Sequence, residues 1–450
     1  MKVAWVLIAA ILGSAMPFID STAVNVSLPV IQRELHTTAG QTQWVIEGYA
    51  LFLSALILLG GALGDIYGRK RIFAAGIALF ALASLACALA GSIEALIAAR
   101  CVQGIGGALA TPGSLALLSA AYDERSRGRA IGLWSGFSAL TSALGPVIGG
   151  WLTQSFSWRY VFLINVPIAM VVLLVLAFRV PESRDESAVR RIDTIGATLA
   201  TLGLGLLVYG LIEMNAGRFS VPAVGIAVAG LIVLALFVLF ERRANDPMVR
   251  CDLFASRSFT AANVYTFLLY TAIGGSLYFV PFVLINVHRY TPTAAGAALL
   301  PFIFIMVVSS RWSGGLVGRV GPRIPLIAGA ALAGLGFLAF ALPGNGGSYW
   351  TTFFPAAAIL GLGGALFVAP LTTTVMSSVP VEHAGVASGM NNAVARTAGL
   401  IGVAALGIVV TSAHSYVTGF RGAMIASALL AFASGVVAAR GFPARQKQSD

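Results

Sequence analysis

Charge is scarce in this 450-residue chain: Asp, Glu, Lys and Arg make up 10% of it, where soluble domains carry about 25%. With 58% hydrophobic residues and a mean hydropathy of +0.90, the chain is excluded from the soluble globular class. Cysteine is scarce too. Cys87, Cys101 and Cys251 leave an odd count and no Cys-x-x-Cys pair, which argues against a disulfide framework or zinc site and leaves them a packing role. The four histidines, His36, His288, His383 and His414, are scattered over connections and helix ends, and no His-Glu-x-x-His pair exists, so no metal is expected. There is no Gly-x-x-x-x-Gly-Lys-Ser/Thr loop, which disfavours coupling to ATP. Nor is there a nucleophile-base-acid set or a sizeable soluble domain, so we expect neither an enzyme nor a cofactor. The formal charge is +11, from 28 basic and 17 acidic residues, but the cations do not cluster on a soluble segment and nucleic acid is not an expected partner.

What the chain does have is long apolar runs. A hydrocarbon core about 30 Å thick needs about 20 residues of helix. Runs of that kind fall at 3–28, 44–63, 72–91, 95–120, 130–152, 160–179, 193–214, 221–240, 259–286, 294–317, 324–342, 350–377, 384–411 and 420–439. The expectation is an all-α polytopic membrane protein of fourteen helices, with lipid and a small-molecule cargo as partners and a monomer as its state. Lys2 and the run Val3 to Gly13 resemble a secretory signal, but the apolar stretch continues through Phe18 and carries an acid, so it is read as a first membrane helix.

Sorting the cations orients the chain. With the N-terminus inside, 20 basic residues fall in cytoplasmic segments and 5, Arg33, Arg159, Arg218, Arg289 and Arg421, fall outside. Positive residues stay inside, so both termini are expected in the cytoplasm of a bacterial inner membrane. The two longest polar connections, 180–192 and 241–258, bracket the seventh and eighth helices. The expected organisation is a six-helix bundle (1–180), a two-helix insert with its flanking loops (181–258), and a second six-helix bundle with a short tail (259–450). A weak repeat agrees with it: Gly314, Gly318, Gly321, Pro322 and Arg323 echo Gly61, Asp65, Gly68, Arg69 and Lys70 at a shift of 253 residues, with Gly318 in the place of Asp65.

The first copy, Gly60-Gly-Ala-Leu-Gly-Asp-Ile-Tyr-Gly-Arg-Lys-Arg71, puts one carboxylate and three cations on a tight turn between two spans. A plain positive topogenic loop accounts for the cations but not for Asp65 or the glycine spacing. Gly61, Asp65, Gly68, Arg69 and Lys70 match the Gly-x-x-x-Asp-x-x-Gly-Arg-Lys loop of the major facilitator superfamily, and the chain resembles that family. The resemblance implies a major facilitator fold of two bundles, and a cytoplasmic gate in which Asp65 pairs with a basic residue and with a helix start in the second half.

An acid inside a span costs about 2.5–3.5 kcal/mol on insertion scales, so Asp20 needs a function or a partner. Phe18-Ile-Asp-Ser-Thr-Ala-Val-Asn-Val-Ser-Leu-Pro29 resembles the Leu-Asp-x-Thr-x-Val-Asn-Val-Ala-Leu-Pro signature of the fourteen-helix drug:proton antiporters, at Asp20, Thr22, Val24, Asn25, Val26, Leu28 and Pro29. This implies that Asp20 binds the proton or the charge of the cargo; an acid reaching water at the outer interface is the bland alternative. Arg100, Gln103, Gly104 and Gly106 match the family's Arg-x-x-Gln-Gly-x-Gly motif, in which the Arg is linked to proton transfer. A guanidinium keeps its proton, so Arg100 tunes a neighbour or binds an anion, or else satisfies helix carbonyls. Gly145, Pro146, Gly149 and Gly150 resemble the Gly-Pro-x-x-Gly-Gly bend of the antiporters, although the usual preceding Gly is Thr141 here. Trp158 to Pro167 resembles the start of the sixth helix in the same branch and is read as a packing and interface signature.

The remaining candidates carry less signal. Glu47, about a turn inside the second helix, is an interfacial acid or a second site of proton coupling. Asn25, Gln103, Trp134, Asn392 and Arg396 are candidate residues of the substrate cavity, with Asn391 beside them on one polar face. The reading is a proton-coupled antiporter that exports amphipathic or hydrophobic compounds such as drugs by alternating access, driven by the proton gradient alone. The alternatives are an exporter of one endogenous metabolite, lipid or siderophore, and, last, a non-transporting sensor or membrane enzyme.

Overall fold

A chain this apolar has few ways to satisfy its backbone without water, and the helix is the one that does so within each segment. The computed structural model describes residues 2–122, 124–184, 193–215, 220–244, 247, 249–313, 316–343, 348–379 and 384–443, and contains no strand among them. Its helices are α1 (Lys2–Glu34), α2 (Ala39–Tyr67), α3 (Arg69–Leu89), α4 (Ile93–Ala121), α5 (Glu124–Ser155), α6 (Arg159–Leu163), α7 (Asn165–Arg179), α8 (Thr194–Asn215) and α9 (Val221–Glu241). They continue as α10 (Arg257–Phe282), α11 (Pro292–Ala297), α12 (Leu300–Ser313), α13 (Leu316–Val320), α14 (Arg323–Ala341), α15 (Phe353–Ser377), α16 (Ala384–Thr411) and α17 (Tyr416–Gly441).

Among the described residues thirteen helical stretches are long and apolar enough to cross a membrane, so the protein is a multi-pass membrane protein. The run expected at 130–152 lies in α5, a 32-residue helix that is not among those thirteen. The run expected at 294–317 is not one helix: a turn at 298–299 separates α11 from α12, whose first turn holds Pro301.

Several boundaries are set by caps rather than by apolarity. Thr38 accepts from the Gln41 amide while the Gln41 side chain takes the Thr38 amide, a reciprocal capping box. Ser92, Ser256 and Ser415 cap α4, α10 and α17. The turns of the internal repeat share a geometry. Gly68 (φ 113°) and Gly321 (φ 77°) both have left-handed backbone, and their N–H groups donate to Gly64 and Val317 respectively, each at 3.0 Å. Gly314 lies outside the described residues.

The chain forms two compact units. The first comprises Met1–Leu207, Ile226–Met248 and Tyr290–Ala297. Lipid tails are as apolar as leucine, so its helices associate through close packing at small residues. A methyl group on Gly60 would meet the Ala108 carbonyl, one on Gly104 the Tyr49 carbonyl, one on Gly76 the Gly106 carbonyl and the Ala110 amide, and one on Gly106 the Phe80 backbone. These contacts set α4 against α2 and α3. In the same way Gly145 and Gly149 set α5 against Thr22 and Ala23 of α1. Where the glycines stop, Met16, Phe73, Phe80, Leu118 and Val172 fill a buried apolar cluster.

The second unit comprises Val208–Gly225, Val249–Arg289 and Ala298–Asp450. Gly275 on α10 packs on the Gly402 carbonyl of α16, and Gly329 on α14 packs on the Gly363 carbonyl and the Phe367 backbone of α15. Gly329 stands to Gly76 as Gly321 does to Gly68, so the repeat extends to helix packing as well as to the turn. The Ser276 and Ser427 hydroxyls, 2.7 Å apart, bridge α10 and α17.

Candidate functional site

Position 20 of α1 faces α4 across the first unit, and there Asp20 meets Arg100. The Arg100 Nη1 donates to Asp20 Oδ2 at 2.5 Å, and both side chains are 0% exposed. Gln103, on the same face of α4 as Arg100, donates from Nε2 to Asp20 Oδ1 at 2.9 Å and accepts from Arg100 Nη1 at 2.6 Å. Ser84 of α3 accepts from Gln103 at 2.8 Å, and Cys87 Sγ lies 3.7 Å from the Gln103 oxygen. The Asn165 amide, from the start of α7, points Nδ2 at Asp20 Oδ1 and at Ser84 Oγ, at 3.4 Å each.

The guanidinium is held through Nε and Nη1, while its Nη2 has no hydrogen-bond partner among the described residues. Its Nε donates to the Val45 carbonyl at 2.8 Å, so the helix-carbonyl role expected of Arg100 coexists with its ion pair. Its carbon lies 4.3 Å from the centre of the Tyr49 ring and 5.7 Å from that of Phe162. Cations over aromatic faces are stabilised where water is excluded. Three donors meet the Asp20 carboxylate in a dry site, and the two buried charges balance each other, so losing either one leaves its partner without a counter-charge.

The other candidates are placed as follows. Glu47 is fully buried in α2. Its only recorded hydrogen bond is from Gln43 at 3.5 Å, and its Oε2 has no partner among the described residues. Asn25 lies on α1 about 140° around the helix from Asp20. It is half-buried, with Oδ1 unpartnered, and so lies off the ion-pair cluster. Trp134 donates its indole N–H to Ser14 Oγ at 2.9 Å and packs against the apolar cluster of the first unit. Asn392, exposed, and Arg396, half-buried, belong to α16 in the second unit, where Asn391 donates to Asn263 at 3.2 Å and to Thr266 at 2.7 Å.

In the turn between α2 and α3, Arg69 holds Asp65 with Nε and Nη2 each at 2.8 Å, one helical turn apart in sequence. Gly61 packs on Pro112 and Lys70 is half-buried. α5 runs as helix through Pro146. The Gly150 and Gly296 contacts, with the Pro292 and Pro146 carbonyls, join α5 to α11 in the first unit.

Three functional-site residues were not singled out from the sequence. Asn165 lay in plain view in the Trp158–Pro167 motif, whose reading as packing and interface fits Trp158, fully buried and bonded to Glu34 at 2.8 Å, but not Asn165. An amide inside a membrane span was the signal to follow. Ser84 offered none, since serines on apolar helices commonly bond their own backbone. Glu182 lies beyond α7, yet it accepts from the Lys70 and Arg71 amides at 2.9 and 3.2 Å and so caps α3, whose own N-cap residue, Gly68, has no side chain.

Similarity to known proteins bears on the family. The Major Facilitator Superfamily model matches residues 10–403. The chain is 38% identical to multidrug resistance protein Stp of Mycobacterium tuberculosis, over 90% of this chain and 75% of that one. It is 35% identical to the tetracenomycin C resistance and export protein of Streptomyces glaucescens, over 90% and 76%, and 34% identical to the methylenomycin A resistance protein of Bacillus subtilis, over 96% and 92%. Its fold matches a bacterial homolog of the human lysosomal transporter Spinster, in an inward-facing and unoccupied conformation, with a TM-score of 0.72 at 18% identity over 100% of this chain and 99% of that one. With the family's model covering most of its length and resistance exporters among its relatives, the chain belongs to the Major Facilitator Superfamily of membrane transporters.

Proposed function

We propose that this protein is a proton-coupled antiporter that exports amphipathic or hydrophobic drug-like compounds by alternating access. The observation that carries the reading is the buried Asp20–Arg100 pair, a carboxyl inside a helix bundle of a chain whose relatives are named for multidrug, tetracenomycin C and methylenomycin A resistance. Asp20 takes a proton from outside as cargo leaves, and its release inward resets the carrier. Arg100 and Gln103 bias that exchange, Glu47 is a second candidate acid, and Asn25, Trp134, Asn392 and Arg396 are candidate cargo contacts. Asp65 and the turn that holds it govern a gate on the cytoplasmic side. With α5 counted as a span the helices number fourteen, read as two six-helix bundles and a two-helix insert. Both termini are cytoplasmic in a bacterial plasma membrane, and the working state is a monomer that needs no cofactor.

The test is efflux in everted vesicles. A fluorescent lipophilic cation added to energised vesicles dissipates the pH gradient if it exchanges for protons, and Asp20→Asn is expected to abolish this. Undiminished coupling in Asp20→Asn removes Asp20 from the role and turns attention to Glu47. Silence from the unaltered protein across a panel of unrelated compounds favours export of a single endogenous metabolite, lipid or siderophore.

A further inference from the structure

A proton arriving on Asp20 turns one carboxyl oxygen from an acceptor into a donor, and a buried O–H needs an acceptor. Few of its neighbours can provide one. Arg100 has only donors. The Gln103 oxygen is held by Arg100 at 2.6 Å, and its nitrogen is shared between Asp20 and Ser84. The Ser84 oxygen already faces both Gln103 and Asn165. Asn165 differs. Its nitrogen lies 3.4 Å from Asp20 Oδ1, a long contact, while its oxygen is buried with no partner among the described residues. Asn165 itself is 0% exposed.

An amide is the one uncharged side-chain group that presents a donor and an acceptor at interchangeable positions. A half-turn about its last torsion exchanges nitrogen for oxygen with little change of shape. We infer that Asn165 reads the protonation state of Asp20: its N–H₂ faces the carboxylate, and after proton uptake its oxygen turns to accept the new O–H on Oδ1. Asn165 is thus a positioning residue for proton coupling, and this role rests on the antiporter reading above. The titratable and charged groups nearest Asp20 are Arg100 from α4, Cys87 from α3 and Tyr49 from α2, and residues 130–155 of α5 contain none. With Arg100 and Gln103 holding the anion, the Asn165 oxygen favours the protonated form. Its position explains the orphan: the oxygen without a donor is the one that waits for a proton.

The test uses the full-length protein in lipid, with the infrared C=O band of a protonated carboxyl followed as pH is changed. The band belonging to Asp20 is the one missing from Asp20→Asn. In Asn165→Leu, similar in size and unable to bond, that band is expected to move to higher frequency and its proton affinity to fall about tenfold, with the pH profile of coupled efflux moving to lower pH. Asn165→Ser, which restores an oxygen in a small side chain, falls between the two and serves also if the leucine variant does not fold. An unchanged band and an unchanged titration in both variants overturn the role of Asn165 while leaving Asp20 in place. If no band is lost in Asp20→Asn and coupling persists, the antiporter reading centred on Asp20 fails first, and this inference fails with it.

Discussion

The carboxylate of Glu182 occupies the space that a side chain on Gly68 would fill. A methyl group built there would lie 2.8 Å from the Glu182 carboxyl carbon. The two residues solve one problem together. Gly68 turns the chain at φ 113° and leaves the first amides of α3 open, and Glu182 comes from the far end of α7 to accept them. A carboxylate at a helix start is favoured both by those amides and by the helix dipole.

Gly68→Ala is therefore expected to destabilise the protein by about 1–2 kcal/mol from the left-handed backbone, with a further loss from the displaced cap. Glu182→Ala costs about 1 kcal/mol as a lost cap. Combined, the two should cost less than their sum, because the collision has gone. Thermal unfolding of the purified variants in detergent decides it, and strict additivity would show that the residues do not touch.

The ion pair makes the opposite kind of prediction. Removing one partner of a buried pair costs about 3–5 kcal/mol, since the other is left charged and dry. Asp20→Asn and Arg100→Gln should each lower stability, and the double variant should recover much of the loss, because neither charge remains. A double variant less stable than either single one would mean that Arg100 matters mainly for Val45 and Tyr49. Transport should stay lost in all three.

At the helix contacts, size alone should decide. Gly104→Val drives a side chain into the Tyr49 carbonyl, and overpacking of that kind costs about 1–3 kcal/mol or prevents accumulation in the membrane. Gly225, on α9, has nothing within 4 Å of the place where a methyl would go, and Gly225→Ala should be neutral or mildly stabilising. Equal losses at both positions would remove close packing as the cause.

Much of this was legible in the sequence because the membrane imposes a length rule. Thirteen of the expected runs overlap helical stretches that meet a spanning measure, and the remaining one lies in α5. The ends were less legible: α2 begins at Ala39, several residues before its apolar run, because the Thr38–Gln41 capping box and not hydropathy starts it. Asp20, Arg100 and Gln103 were legible as an intramembrane acid, a cation and an amide on matched motifs. Asn165 and Ser84 were not, because what brings them to Asp20 is how α3 and α7 pack, and no local spacing encodes that. The burial of Glu47 was not legible for the same reason, since position along a helix does not reveal which neighbours close over it.

The glycine contacts have a mechanical consequence. α2, α3 and α4 meet backbone to backbone, at Gly60, Gly76, Gly104 and Gly106, and α1 meets α5 in the same way at Gly149. Surfaces in such contact cannot shear without collision. Between these two slabs the contacts are softer: a methyl group on Gly13 of α1 would meet only side-chain ends, those of Phe73 and Ile77. The boundary between α1 and the α2–α4 slab is thus the softer one, and the Asp20–Arg100 pair is the rivet through it. If Asp20 takes up a proton as proposed, the rivet slackens, and a single chemical event becomes play along that boundary.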